Sequence, residues 1–196
     1  MSIVLGYDDL NLIDERIEIL NGKEVKLASP LPGHSSVGSN VNYIFQAHLR
    51  QKNCLKCRVF YEMDVRLTEK DLVKPDIIVV CNPDFVDASN IIGPPDLIVE
   101  ILSTSTAKRD RGYKKTLYES VGVKEYWIID AIMRHVEVYI FHDGKYTLDH
   151  IYMLPTKNVM PTLRPEEIDA LTYTFKTSIF EDLIIDIRDV FRGIEG

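Results

Sequence analysis

The chain has 196 residues, 45% of them in the hydrophobic set and 27% charged, the balance of a folded globular domain rather than a disordered segment. Lysine and arginine total 23 against 30 acids, a formal charge of −7, which argues against a polybasic nucleic-acid binder but leaves room for an enzyme whose local cleft differs in sign from the whole. No run of about 18 apolar residues offers a membrane helix, and the opening MSIVLGYDDL lacks the basic start of a secretory signal.

In chain order, Arg16 to Leu20, Asn21-Gly22 and Lys23 to Ala28 predict a β-hairpin, because Asn-Gly tolerates the positive φ angles of a two-residue turn. After the break Ser29-Pro30-Leu31-Pro32-Gly33, a helix is expected over 34–51. Its apolar stripe is Val37, Val41, Ile44, Phe45 and Leu49, with Ser35 or Ser36 as its cap. Cys57 to Leu67 alternates like a single strand. Ile77 to Cys81 and Leu97 to Leu102 are continuous apolar runs, the mark of strands buried on both faces. A helix over 106–120 follows, stopped by Gly122. Strands are expected at Glu125–Asp130, His135–Phe141 and Lys145–Tyr152, then a loop from Leu154 to Ala170. The tail reads as a strand near Tyr173–Phe180 and an apolar segment, Leu183–Phe191, ending in a short helix. The order implies a single α+β (mixed α/β) domain over residues 1–196.

Cys54, Cys57 and Cys81 are odd in number and cannot all pair within one chain. The C-x-x-C of Cys54 and Cys57 lacks the second pair or histidines that a zinc site needs, and it follows a helix rather than opening one. The thiols are therefore read as incidental and the compartment as reducing, that is, cytoplasmic.

Two charges break the local pattern. Glu100 lies inside Leu97-Ile98-Val99-Glu100-Ile101-Leu102, where an ionised carboxylate is costly unless paired or metal-bound. Lys114 shares a helix face with Asp110, Leu117, Tyr118 and Val121, the face expected to turn inward. Asp76 opens the other apolar run behind the rigid Pro75. If the two runs are neighbouring strands, Asp76 and Glu100 converge, and the following helix can bring Lys114 to them. Two carboxylates with waters and a phosphate oxygen suit Mg²⁺, and a nearby lysine can orient the attacking water or stabilise charge on phosphorus. Competing structural readings are a buried Glu100–Lys114 ion pair and a surface bridge from Lys114 to Asp110. Glu62 and Asp64 share a strand face that reads as solvated, although Glu62 can also join the acidic cluster. Ser103 reads as a turn cap rather than a nucleophile, and Tyr118, Tyr126 and Trp127 as core or interface residues rather than base-stacking platforms.

Lys74-Pro75-Asp76-Ile77, Pro95-Asp96 through Glu100 to Ser103, Arg109-Asp110 to Lys114 with Tyr118, and Gly122 to Asp130 together resemble the Uma2 family. That family is a bacterial branch of the PD-(D/E)XK, restriction-endonuclease-like superfamily. The resemblance implies a core of helix, mixed sheet and helix, with the site at one edge of the sheet. It makes Asp76 and Glu100 the metal-binding acids, with the backbone carbonyl of Ile101 as the third ligand. The superfamily lysine would stand at Leu102; this branch carries it on the next helix, where Lys114 matches. His34 matches a histidine at the start of the first helix, either a site residue or a helix-start residue. The implied activity is Mg²⁺-dependent hydrolysis of DNA phosphodiesters, with Mn²⁺ able to substitute and a homodimer as the expected assembly. A second reading keeps the fold and drops the catalysis, leaving a protein that acts by binding nucleic acid or protein. The nuclease reading also expects Lys74, Lys108, Arg109, Arg111, Lys114 and Lys115 to gather as a positive surface near the site.

Overall fold

The computed structural model describes residues 16–194; the opening residues read above for a signal lie outside that range. The chain runs β1 (Ile17–Leu20), β2 (Lys23–Lys26), α1 (Pro32–Gln51), β3 (Arg58–Tyr61), β4 (Val65–Arg66), β5 (Leu72–Val73), β6 (Ile77–Val80), β7 (Ile91–Ile92) and β8 (Leu97–Ile101). Then follow α2 (Ala107–Arg109), a π-helical turn (Asp110–Lys114), α3 (Lys115–Val121), β9 (Glu125–Asp130), β10 (His135–His142) and β11 (Lys145–Met153). A short helix α4 (Pro165–Asp169), β12 (Thr174–Lys176), β13 (Ile184–Asp186) and α5 (Ile187–Val190) complete it. The fold class is α+β, as the sequence implies.

The frame is a six-stranded mixed sheet in the order β11-β10-β9-β8-β6-β3, parallel only between β8 and β9. A side-chain period of two sorts its strands between two cores. Ile77, Val79, Leu97, Val99, Trp127 and Ile129 face α1 and the C-terminal β12-β13-α5 segment. Ile78, Val80, Ile98, Tyr126 and Ile128 face α3 and a smaller sheet, β2-β1-β5-β4-β7. By the same parity Glu100 points to the second side. The continuous apolar runs of β6 and β8 are thus buried on both faces.

Several local readings change. The first helix starts at Pro32, with Leu31 at its N-cap, so neither Ser35 nor Ser36 caps it. Proline at the first turn loses no hydrogen bond and has a preset φ, which favours the earlier start. The strand expected over 57–67 breaks at Glu62, which has a left-handed φ of 50° and separates β3 from β4. The loop 154–170 contains α4. The thiols are not incidental: Cys57 and Cys81 flank the paired residues Arg58 and Val80 on neighbouring antiparallel strands and are disulfide-bonded, leaving Cys54 free. Adjacency in the fold, invisible in the C-x-x-C spacing, selects the partner, and the pairing removes the thiol-based argument for a reducing compartment.

Glu125 holds the C-terminal segment to the sheet. Fully buried, it accepts hydrogen bonds from Trp127 Nε1 at 2.6 Å, Thr177 Oγ1 at 2.8 Å and the Ser178 backbone N–H at 2.7 Å. Glu125→Ala strands these donors in the core. Urea unfolding at neutral pH should show a loss of roughly 3 kcal/mol; an unchanged midpoint would show that the tail is held by apolar packing alone.

Candidate active site

The site begins with strand register. The antiparallel β6–β8 ladder pairs Ile77 with Val99 and Ile78 with Ile98, and its continuation sets Asp76 opposite Glu100. Directly opposed residues share a face with Cβ atoms about 5 Å apart. The sequence needed these strands to be neighbours, and they are. Asp76 is fixed on both oxygens: Oδ2 accepts the Ile101 N–H at 2.7 Å and Oδ1 meets His34 Nε2 at 2.9 Å.

Glu100 is held from the other layer. Its Oε1 accepts from Lys114 Nζ at 2.8 Å and from the Tyr118 hydroxyl at 2.6 Å, so Oε2 is the oxygen left for a ligand. Lys114 sits in the π-helical turn, an irregularity that recurs at functional sites. Its ammonium also lies 2.7 Å from Glu18 Oε1 and 3.8 Å from Asp110 Oδ1. The side chain is only 3% exposed, so the surface bridge to Asp110 is ruled out and the whole group is interior.

Burial disfavours the ammonium of Lys114, but Glu100, Glu18 and Asp110 outweigh it and hold its pKa above the ordinary lysine range. Burial pushes the Glu100 carboxyl well up against the opposing pull of Lys114, and it raises Asp110 in the same way. Burial also works against a charged His34, yet its bond to Asp76 and the charges of Asp76 and Glu62 leave its pKa raised.

His34, Asp76, Glu100, Ile101 and Lys114 all line one cavity of about 520 Å³. Apolar side chains from the segment after β2, the end of β8 and the β9–β10 turn form much of its wall, including Leu27, Leu31, Leu102 and Ile132. Asp96 stands at the far end of β8, accepting the Cys81 N–H and pairing with Lys124, away from the site. Ser103 exchanges hydrogen bonds with Thr106 in the turn after β8, the capping role. Tyr118, Tyr126 and Trp127 are fully buried.

Two acids were missed or misread. Glu18 is fully buried, accepts the Lys74 backbone N–H at 3.0 Å and completes the cage around Lys114. The available signal was its strand parity with Leu20, since those two residues are the buried pair of β1. Glu62 does not lie on a solvated strand face. It is half-buried, pairs with Arg16 at 2.8 Å and groups with His34 and Asp76. The expected positive surface is largely neutralised: Lys74 pairs with Asp64, Arg109 approaches Glu18, Arg111 pairs with Glu137, and Lys115 lies over the Tyr139 ring. Of those six bases only Lys74 and Lys114 line the cavity.

The sequence profile of one family, described as "Putative restriction endonuclease", matches residues 7–168. The chain belongs to the Uma2 family. Two Synechocystis proteins, named only as uncharacterized, are similar to it: one is 25% identical over 130 residues, covering 66% of this chain and 68% of its own, the other 28% identical over 131 residues, covering 64% and 72%. A crystal structure described as a putative nuclease belonging to DUF820 from Anabaena variabilis superposes with a TM-score of 0.66 at 19% identity, covering 89% of each chain. At that identity the likeness establishes a shared fold.

Lys114→Met leaves Glu18, Glu100 and Asp110 uncompensated. The folded pKa values of Glu100 and Asp110, already raised by burial, should then rise further above the unfolded values near 4. Raised acids bind protons more tightly when folded, so the variant keeps its stability below about pH 4 and loses it as pH rises. Chemical unfolding in EDTA should show a deficit of roughly 3–5 kcal/mol at pH 8 that shrinks towards pH 5. A pH profile parallel to the parent's would contradict the cage.

Proposed function

We propose that this Uma2 protein is a metal-dependent endonuclease that hydrolyses DNA phosphodiesters at the Asp76–Glu100–Lys114 site. The observation that carries this reading is the convergence of two acids from adjacent strands and a lysine from the facing helix on one cavity. No helix among the described residues is long and apolar enough to cross a membrane.

The donors fit a hard divalent cation such as Mg²⁺. Asp76 and Glu100 supply carboxylate oxygens, and the Ile101 carbonyl leaves the same strand edge as the N–H that reaches Asp76. When bound, the ion polarises the phosphate and acidifies a coordinated water. The chain's own residues do the rest. Ile101 N–H and His34 fix the rotamer of Asp76, and Tyr118 and Lys114 fix that of Glu100. Lys114 orients the attacking water or offsets charge growing on the phosphoryl oxygens. The cavity's apolar wall limits competing water around the scissile bond. A homodimer would place two such sites for two strands.

Purified protein with Mg²⁺ or Mn²⁺ should cut at least one of supercoiled, linear, branched or single-stranded DNA. Asp76→Ala, Glu100→Gln and Lys114→Ala should each lower the rate on the order of a hundredfold or more. Cleavage that survives Asp76→Ala or Lys114→Ala would overturn the site. DNA binding without cleavage of any of these substrates would favour the reading of a nuclease fold that acts by binding.

A further inference from the structure

His34, Glu62 and Asp76 present one ligand atom each, all within 4.8 Å of one another. Glu100 is not a member of this group. The geometry points to a divalent-cation position made by His34, Glu62 and Asp76, sharing Asp76 with the Asp76–Glu100 pair, that takes a first-row transition ion such as Mn²⁺ in preference to Mg²⁺. Its catalytic use rests on the nuclease reading; its geometry does not.

The spacing suits an ion. His34 Nε2 and Asp76 Oδ1 are 2.9 Å apart. Adjacent ligands of an octahedral ion with bonds near 2.1 Å lie about 3 Å apart, so both atoms can reach one ion with little movement. Arg16 contacts Oε1 of Glu62, leaving the other oxygen to the ion. One imidazole and two carboxylates, with waters completing the shell, form a mixed N/O set. Imidazole favours first-row ions over Mg²⁺, which prefers oxygen throughout.

Three elements hold the ligands together. His34 lies in the first turn of α1, and Gly38 is one turn further along the same face. A Cβ at Gly38 would stand 2.8 Å from the Tyr61 ring, so the bare glycine lets this face of α1 settle against β3. Glu62 follows Tyr61 with its left-handed φ, and its N–H donates to the Asp76 carbonyl at 3.0 Å. The His34 Nδ1 is buried without a partner among the described residues, so Asp76 is the ring's hydrogen-bond partner there.

The test uses the full chain and the metals alone. Mn²⁺ and Mg²⁺ are titrated by calorimetry, and bound Mn²⁺ is examined by pulsed electron paramagnetic resonance. The parent should bind Mn²⁺ more tightly than Mg²⁺ and show ¹⁴N hyperfine coupling from a directly bound imidazole. His34→Ala should abolish that coupling, and His34→Ala and Glu62→Gln should each weaken Mn²⁺ binding by at least about tenfold. Glu100→Gln should keep the coupling. Thermal unfolding establishes that each variant is folded. Absence of Mn²⁺ binding, binding without nitrogen coupling, or binding indifferent to both His34→Ala and Glu62→Gln would overturn the proposal. If coupling is absent while Glu100→Gln abolishes Mn²⁺ binding, this position fails and the Asp76–Glu100 site stands. If coupling is present and no DNA is cut, the nuclease reading fails and this position stands.

Discussion

The ammonium of Lys114 is the point on which this structure closes. It lies in the interior, where a single charge is costly, and it is tolerated because Glu18 and Glu100 contact it directly and Asp110 stands just beyond. Those partners come from three different places: the N-terminal hairpin, the centre of the main sheet and the helix itself. The interaction therefore does more than neutralise charge. It fixes how the small sheet, the large sheet and the irregular helix meet, and it fixes the rotamer of the acid that faces the cavity.

The wider electrostatics follow the same pattern. Acids outnumber bases, and much of the excess is used internally rather than displayed. Glu18, Glu100, Asp110, Glu125 and Glu137 are all buried, each beside donors or cations. Of the basic residues near the site, Arg109, Arg111 and Lys114 are drawn towards these acids, and Lys74 pairs with Asp64. A polyanion approaching the cavity would meet Arg16, Lys74 and Lys114 in its lining rather than a broad basic face. Recognition by local shape and by bound cations fits that surface better than long-range attraction.

Much of this arrangement was legible in the sequence because it obeys short periods. The apolar runs of β6 and β8 announced strands buried on both sides, and a carboxylate inside one of them announced a site. Helical spacing put Lys114 on the inward face before any fold was known. What escaped had no local period. Glu18 lies in a four-residue strand, too short for its parity to stand out, and its partner is about a hundred residues away. Glu62 interrupts what reads as an even strand, because a left-handed residue leaves no mark on an alternation of side chains. The Cys57–Cys81 pairing depends on which strands are neighbours, a property of topology rather than spacing.

The π-helical turn at Asp110–Lys114 makes chain length a constraint in its own right. Such a turn widens the helix by about one residue, and α3 continues beyond it towards Gly122. Removing one residue there would restore an ordinary α-helical turn and change the bearing of the side chains within it. Lys114 would leave Glu18 and Glu100 even though every amino-acid type around the site stayed the same. Among relatives, this segment should therefore vary more freely in composition than in length.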